Sequence, residues 1–412
     1  MAPLNYAVCS IIPPHMLAGI AASNDTHQNS KDAANHTLTH TDEIRTQRHP
    51  SLRQDHEGPP GGQGIVPPHI TSHIARHHED AGIRAAADDT TKHDEGIRAA
   101  RAQGGASAPT GTKLNRKIYT CNGSTRLPGT LIRSEGQNPI GTRDKSGDPD
   151  ECYDGFGATY NFYKTVLNRN SIDGKGLILT GSVHYSKKYD NAMWDGKQMV
   201  FGDGDGVIFN GFTDELDVVG HELTHGVTQY SANLDYQGES GALNESVSDC
   251  FGSMIKQYKL KQTSADADWL IGQGILATGI NGVALRSMKA PGTAYDDPKL
   301  GGKDPQPDNV ANIYSGTDDN GGVHINSGIP NKAFYLACIG LGGSSWERTG
   351  HIWYNTLTGG KLSSSAQFLD FANLTASVAG SLYDSDAQQK VVDAWAGVGI
   401  TVTGGQSGGG GL

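Results

Sequence analysis

Apolar positions fall at helical spacing twice near the middle of the chain. Leu216, Val219, Leu223, Val227 and Tyr230 recur at steps of three and four, and Leu243, Val247, Cys250, Met254 and Tyr258 do so again. Each run predicts a helix with one packed face. Upstream, from Ile118 to about Gly211, the apolar runs are short and read as strands: Leu177–Leu179, Ser182–Tyr185 and Met199–Phe201, with a tight turn at Gly202–Gly206. One helix is expected there, around Tyr160–Leu167, and His184, inside a strand-like run, is expected as a packed histidine. Beyond Tyr230 the pattern is mainly helical: Phe368, Phe371 and Leu374 form a stripe. Ser385-Asp386-Ala387-Gln388 reads as the capping-box start of a last helix carrying Val391, Val392 and Trp395. The fold class this predicts is α+β, a β-rich half followed by a helical half.

The polar faces of the two central helices change the picture. At roughly 100° per residue, His221 and His225 fall nearly opposite their helix's apolar stripe, with Glu222 beside them. Residues four apart stand one turn above each other on one face, so two imidazoles can converge on one point. On the second helix Glu245 and Asp249 stand together opposite the stripe. If the two faces meet across a cleft, His221, His225 and Glu245 supply three ligands to a zinc ion and leave a fourth position open, as a catalytic site requires. The bland alternative is a helix with two surface histidines and an incidental glutamate; the matching carboxylate face argues against it.

Composition narrows the remaining classes. The chain has 412 residues, enough for two or three domains, with 36% hydrophobic and 19% charged content. A net charge of −11 argues against a nucleic-acid partner, and no apolar run reaches membrane-spanning length. Five cysteines, at 9, 121, 152, 250 and 338, form no disulfide framework, although Cys121 and Cys152 could pair in an oxidising compartment. Cys250 belongs to a buried stripe and reads as a small core residue. Residues 2–8 lack lysine and arginine, and Pro13-Pro14 cuts the apolar segment at Ile11-Ile12, so no signal peptide is recognisable. That pattern favours a cytoplasmic precursor, or one exported by a non-classical route.

Residues 1 to about 112 differ in kind from the rest. Eleven of the sixteen histidines lie before Asp94. Two weak repeats appear: Ile11-Ile12-Pro13-Pro14-His15-Met16 is echoed at Ile65–Ile70, and Gly82-Ile83-Arg84-Ala85-Ala86 at Gly96–Ala100. The His-rich spacer of about residues 51–105 reads as solvated polar chain, with loose metal capture as the minor alternative. Gly104–Thr112 has the composition of a flexible linker and is a natural place for a proteolytic cut. The Gly-rich residues 406–412 read as a flexible tail.

Three motifs carry a family resemblance. His221-Glu222-Leu223-Thr224-His225, Gly241-Ala242-Leu243-Asn244-Glu245-Ser246-Val247-Ser248-Asp249 and Asp319-Asn320-Gly321-Gly322-Val323-His324-Ile325-Asn326-Ser327-Gly328 closely resemble thermolysin-type zinc metallopeptidases, over about Ile118 to about Ile400. The resemblance implies a two-domain fold with the zinc helix at the junction. Residues 113–230 would form the β-rich catalytic domain and 231–405 the helical one. It implies one catalytic zinc on His221, His225 and Glu245, a ligand set carried over from thermolysin itself. Glu222 would act as general base and then acid, and His324 and Tyr236 would donate to the oxyanion, with Asp319 orienting His324. Asp249 and Asn244 would accept hydrogen bonds from His221 and His225. Asn191, Ala192 and Arg286 would hold the peptide backbone. Phe209, Phe212, Val218, Ile271 and Leu285 would line the pocket for the residue after the scissile bond, giving cleavage on the N-terminal side of bulky hydrophobic residues.

The Ile-Ile-Pro-Pro-x-Met-Leu segment near Met1 resembles the short propeptide of the protealysin-like branch. That implies that residues 1–112 form a propeptide covering the cleft as an intramolecular inhibitor. Cys9 could then reach the zinc as a thiolate, though a plain core cysteine is the simpler expectation. Thermolysin's double calcium site is expected to be absent. Asp217 and Asp268 remain, but Lys256, Leu270 and Gln273 stand where acidic ligands would be, and Val283 replaces an aspartate of another calcium site. Lys256 could supply positive charge by pairing with Asp217 or Asp268. The expected partners are protein and peptide substrates, and the expected state is monomeric. The rival reading is a catalytically inactive binding or adhesion protein on the same scaffold, against which the retained Glu222 and His324 argue. A metal-dependent hydrolase of non-peptides is a third reading, weakened by Asn191 and Arg286.

Overall fold

Six strands and two crossing helices build the framework of the site. The computed structural model describes residues 9–23, 25–47, 111–187 and 189–403. The spacer, the second Pro-Pro-His repeat, the Gly104–Thr110 stretch, the 406–412 tail and the Cys9 side chain lie outside the described residues.

The sheet runs in the order β1 (Cys9–Ser10), β5 (Ala192–Trp194), β6 (Met199–Phe201), β4 (Leu179–Val183), β2 (Arg116–Thr120), β3 (Thr130–Ser134). β2, β4 and β6 are parallel neighbours, while β3, β5 and β1 pair antiparallel at the two ends. The N-terminal strand therefore closes one edge. It is followed by α1 (Pro14–Ala22) and α2 (Gln28–Gln47). On α1, Gly19 meets the catalytic body so closely that a Cβ there would lie 2.7 Å from the Gly301 Cα.

The helix expected around Tyr160–Leu167 is longer than the apolar pattern indicated. α3 spans Asp148–Leu167, its first turn bearing Asp148, Asp150 and Glu151, which suit the positive end of a helix dipole. Gly155 and Gly157 lower helix propensity and hid that first half. His184 also departs from expectation. It follows β4 with φ of 54° and is held by carboxylates: Nδ1 lies 2.9 Å from Asp203 and 3.4 Å from Asp148, and Nε2 lies 2.9 Å from Asp144. The hydrogen bond to Asp203 leads in raising its pKa to about 9. Cys121, Cys152, Cys250 and Cys338 are all buried free thiols, so Cys121 and Cys152 do not pair.

α4 (Leu216–Gln229) and α5 (Gly238–Leu260) cross closely. Gly252 makes the approach possible: a Cβ there would come within 2.4 Å of the Asp217 carbonyl oxygen. Val219, Leu223, Val227, Leu243, Val247, Cys250 and Met254 are buried as their spacing predicts. Tyr230 instead caps the end of α4 and is exposed. The helical half continues through α6 (Asp318–Asn326), α7 (Gly328–Leu341), α8 (Arg348–Thr358), α9 (Phe368–Leu382) and α10 (Ser385–Gly397). Its core stacks Trp353 on Trp395, with Phe334 and Phe371 edge-on to Trp353. The last helix is capped one residue earlier than expected, by Asp384, whose side chain accepts from the Ala387 N–H. Among the described residues no helix is long and apolar enough to cross a membrane.

Candidate metal centre and active site

The two histidines of α4 and the carboxylate of α5 converge where the helices cross. Ligand atoms of His221, His225 and Glu245 all lie within 4.8 Å of one another, and all three residues are buried. Their outer contacts fix the tautomers. His221 Nδ1 lies 2.8 Å from Asp249 Oδ1. Burial works against charge on Asp249, but Arg286 and His221 outweigh it and hold its pKa at about 2. It is therefore a carboxylate, and His221 Nδ1 donates to it. His225 Nδ1 lies 2.9 Å from Asn244 Oδ1, whose amide nitrogen is committed to the Leu234 carbonyl. His225 Nδ1 must also be the donor.

In the neutral ring this leaves Nε2 of each histidine as the atom able to ligate, and the two Nε2 atoms face each other at 2.9 Å. Glu245 stands 3.5 Å from each, and its buried Oε2 has no hydrogen-bond partner. Two imidazole nitrogens and a carboxylate pointed at one spot need a positive charge between them, supplied by a ring proton or by a metal ion. Nitrogen, nitrogen and oxygen donors in a buried cluster fit zinc.

Glu222 sits beside the cluster, fully buried. Its Oε2 accepts the Trp194 N–H at 2.9 Å and its Oε1 has no partner. Burial pushes its pKa up to about 8. Across the cleft, His324 Nδ1 lies 2.6 Å from Asp319 Oδ1, and its backbone N–H donates to Asp319 Oδ2 at 2.8 Å. The segment carrying both is no regular helix. Asp319, Asn320, Gly321 and Gly322 all have φ between 53° and 79°, a left-handed turn that Asp, Asn and Gly tolerate best. Tyr236 donates to Glu245 Oε1 and stands 3.2 Å from His324 Nε2. Burial also disfavours charge on Glu245, and the histidines around it more than offset this, holding its pKa well below the usual carboxylate range.

The residues expected to hold a peptide backbone are engaged by the chain's own N-terminal segment. Ala192 O accepts the Ile11 N–H at 3.1 Å. Asn191 Oδ1 accepts the Ile12 N–H at 2.8 Å, and its Nδ2 donates to Ile12 O at 3.1 Å. Arg286 Nη1 donates to Ile11 O at 3.1 Å while its Nε and Nη2 clamp Asp249. Ile11, Ile12, Phe209, Phe212, Val218, Ile271 and Leu285 are all buried in the same core cluster. His15 follows them, with both ring nitrogens sealed from solvent and unpartnered; burial lowers its pKa to about 4.

Some contributors gave no advance signal. Asn331 donates to Asp249 Oδ2 at 2.8 Å, and Gln306 Nε2 donates to the His324 carbonyl at 2.7 Å. Ser248 lies 3.0 Å from His225 Nδ1. Ser248 is inside the motif and could have been suspected; a lone Asn or Gln in another element could not.

Residues 91–229 match the family described as thermolysin metallopeptidase, catalytic domain, and residues 232–400 match its alpha-helical domain. The chain belongs to the thermolysin metallopeptidase family. An extracellular metalloprotease of Pectobacterium carotovorum subsp. carotovorum is 44% identical over 96% of this chain and 97% of its own length. Protease PrtS of a Photorhabdus species is 53% identical over 70% of this chain and 77% of its own. Among solved structures, the precursor of protealysin, a metalloproteinase from Serratia proteamaculans, aligns with a TM-score of 0.75 at 44% identity, covering 95% of this chain and all of that one. This thermolysin-family chain is thus a metalloendopeptidase of a zinc-dependent family, with the two-part α+β fold expected, and not an inactive scaffold. The expectation of a cytoplasmic precursor or a non-classical export route is corrected: a relative matching nearly end to end is named an extracellular metalloprotease, which points to secretion. A leader pattern sought in a few residues did not report the destination of the folded enzyme.

Proposed function

We propose that His221, His225 and Glu245 hold one catalytic zinc and that this site hydrolyses peptide bonds on the N-terminal side of bulky hydrophobic residues. The convergence of the two Nε2 atoms, 2.9 Å apart, with the Glu245 carboxylate in one buried spot carries the reading. Zinc supplies Lewis acidity and a water of lowered pKa. Glu222, buried with one oxygen free, takes the proton of the attacking water and returns it to the leaving amine. His324, oriented by Asp319, and Tyr236 stabilise the oxyanion in a site with little water. Asp249 and Asn244 keep both imidazoles in the ligating tautomer, and Arg286 couples the backbone clamp to Asp249.

The engaged clamp supports a latent form in which residues 1–112 act as propeptide and inhibitor, ahead of catalytic halves 113–230 and 231–405. The double calcium site is replaced, in this reading, by an ammonium. Lys256 Nζ lies 3.3 Å from the fully buried Asp217 and 3.0 Å from Asp268. Casein digestion by the matured enzyme, abolished by phenanthroline and restored by zinc, tests the assignment. Digestion that survives chelation would refute it.

A further inference from the structure

We propose that the precursor hydrolyses its own Ser10–Ile11 peptide bond, within one molecule, before any cut that releases the N-terminal segment. The inference rests on the zinc-peptidase reading above and goes one step further. The segment does not merely cover the cleft; it threads it in one continuous register. On one side of the bond, Cys9 and Ser10 form β1, paired antiparallel with β5 as Cys9 opposite Trp194 and Ser10 opposite Met193. On the other side, Ile11 and Ile12 are held by Ala192, Asn191 and Arg286, the residues assigned to a substrate backbone. The bulky hydrophobic residue the enzyme requires after the scissile bond is Ile11, fully buried.

The trans peptide plane selects this bond over its neighbours. Ile11 N–H points to Ala192 O on β5, so the Ser10 carbonyl in the same plane points the opposite way, off the open edge of the sheet. The next carbonyl, that of Ile11, is already bonded to Arg286. β1 packs against α4, and Glu222 on α4 accepts the N–H of Trp194, the residue opposite Cys9. The general base thus stands against the strand that pairs with the residues before the bond. In the step proposed, water adds its oxygen to the Ser10 carbonyl carbon, the Ser10–Ile11 C–N bond breaks, and Glu222 carries the water's proton to the Ile11 nitrogen. No other reactant is consumed.

Cleavage would free residues 1–10 and leave Ile11 clamped, with α1 and α2 still docked. The cut is therefore a mark of correct docking and does not itself activate the enzyme. Purified zinc-loaded precursor, followed by intact mass and N-terminal sequencing, tests this. The expected result is a new N-terminus at Ile11, appearing at a rate unchanged by tenfold dilution. It should be absent from Glu222→Gln, kept in Ile11→Leu and lost in Ile11→Asp. A Ser10–Ile11 bond that stays intact, or a cut whose rate falls with dilution, overturns the inference if the matured enzyme digests casein. If casein is not digested either, the zinc-peptidase reading itself has failed.

Discussion

At Glu222 one carboxylate oxygen is spent on the Trp194 N–H and the other is buried without a partner. A group arranged in this way contributes proton transfer more than stability. Glu222→Gln should lower casein hydrolysis by about 10²–10⁴-fold, while zinc content, measured by atomic absorption, stays at the wild-type level. His184 gives a separable test at a residue outside the proposed zinc ligands. Its folded pKa is raised from 6.5 to about 9 by Asp203 and its neighbours, so it favours the folded state when protonated. The contribution is complete below about pH 6.5 and disappears as pH rises through about 9. Melting curves of wild type and His184→Asn should differ most at pH 6 and converge above pH 9.

Among the elements, the two central helices were legible because each repeats apolar residues at a single period and places its candidate ligands opposite. Even the contacts of Asp249 and Asn244 with the imidazoles could be anticipated, since those residues lie on the same two helices. Other features were not legible. Glycines hid the first half of α3, His184 reads as strand until the chain turns at positive φ, and the cap of α10 sits at Asp384, one residue outside the box the pattern suggests. Asn331 and Gln306 reach the site from distant segments, and no local pattern announces a long-range hydrogen bond. The crossing of α4 and α5 makes its own prediction. Gly252→Ala pushes a methyl against the Asp217 carbonyl, and the fit there is too tight to absorb it. Chemical denaturation should show a loss of about 1–3 kcal/mol, together with weaker zinc retention against a chelator if both helices carry the proposed ligands.

Across the whole molecule, the proposed replacement of calcium by Lys256 and the proposed latent form can each be tested. If Lys256 takes the place of calcium, removing calcium while zinc is kept saturating should leave the melting temperature unchanged. Lys256→Ala should cost about 3 kcal/mol, since Asp217 would remain buried without its cation. The N-terminal segment closes the edge of the sheet and fills the clamp, and Ile12 is fully buried there. Precursor carrying Ile12→Asp should therefore hydrolyse a short peptide substrate that the wild-type precursor leaves intact.

The meeting of Gly19 with Gly301 bears on how long the proposed latent form would remain shut. The first helix rests on the body at a spot where even one methyl group would collide with main chain. In that form the dwell time of the closed state should be adjustable at Gly19, a residue given no role in bond breaking. A series of Gly19→Ala and Gly19→Val precursors would form a graded timer, each step opening sooner while the released catalyst turns over at an unaltered rate.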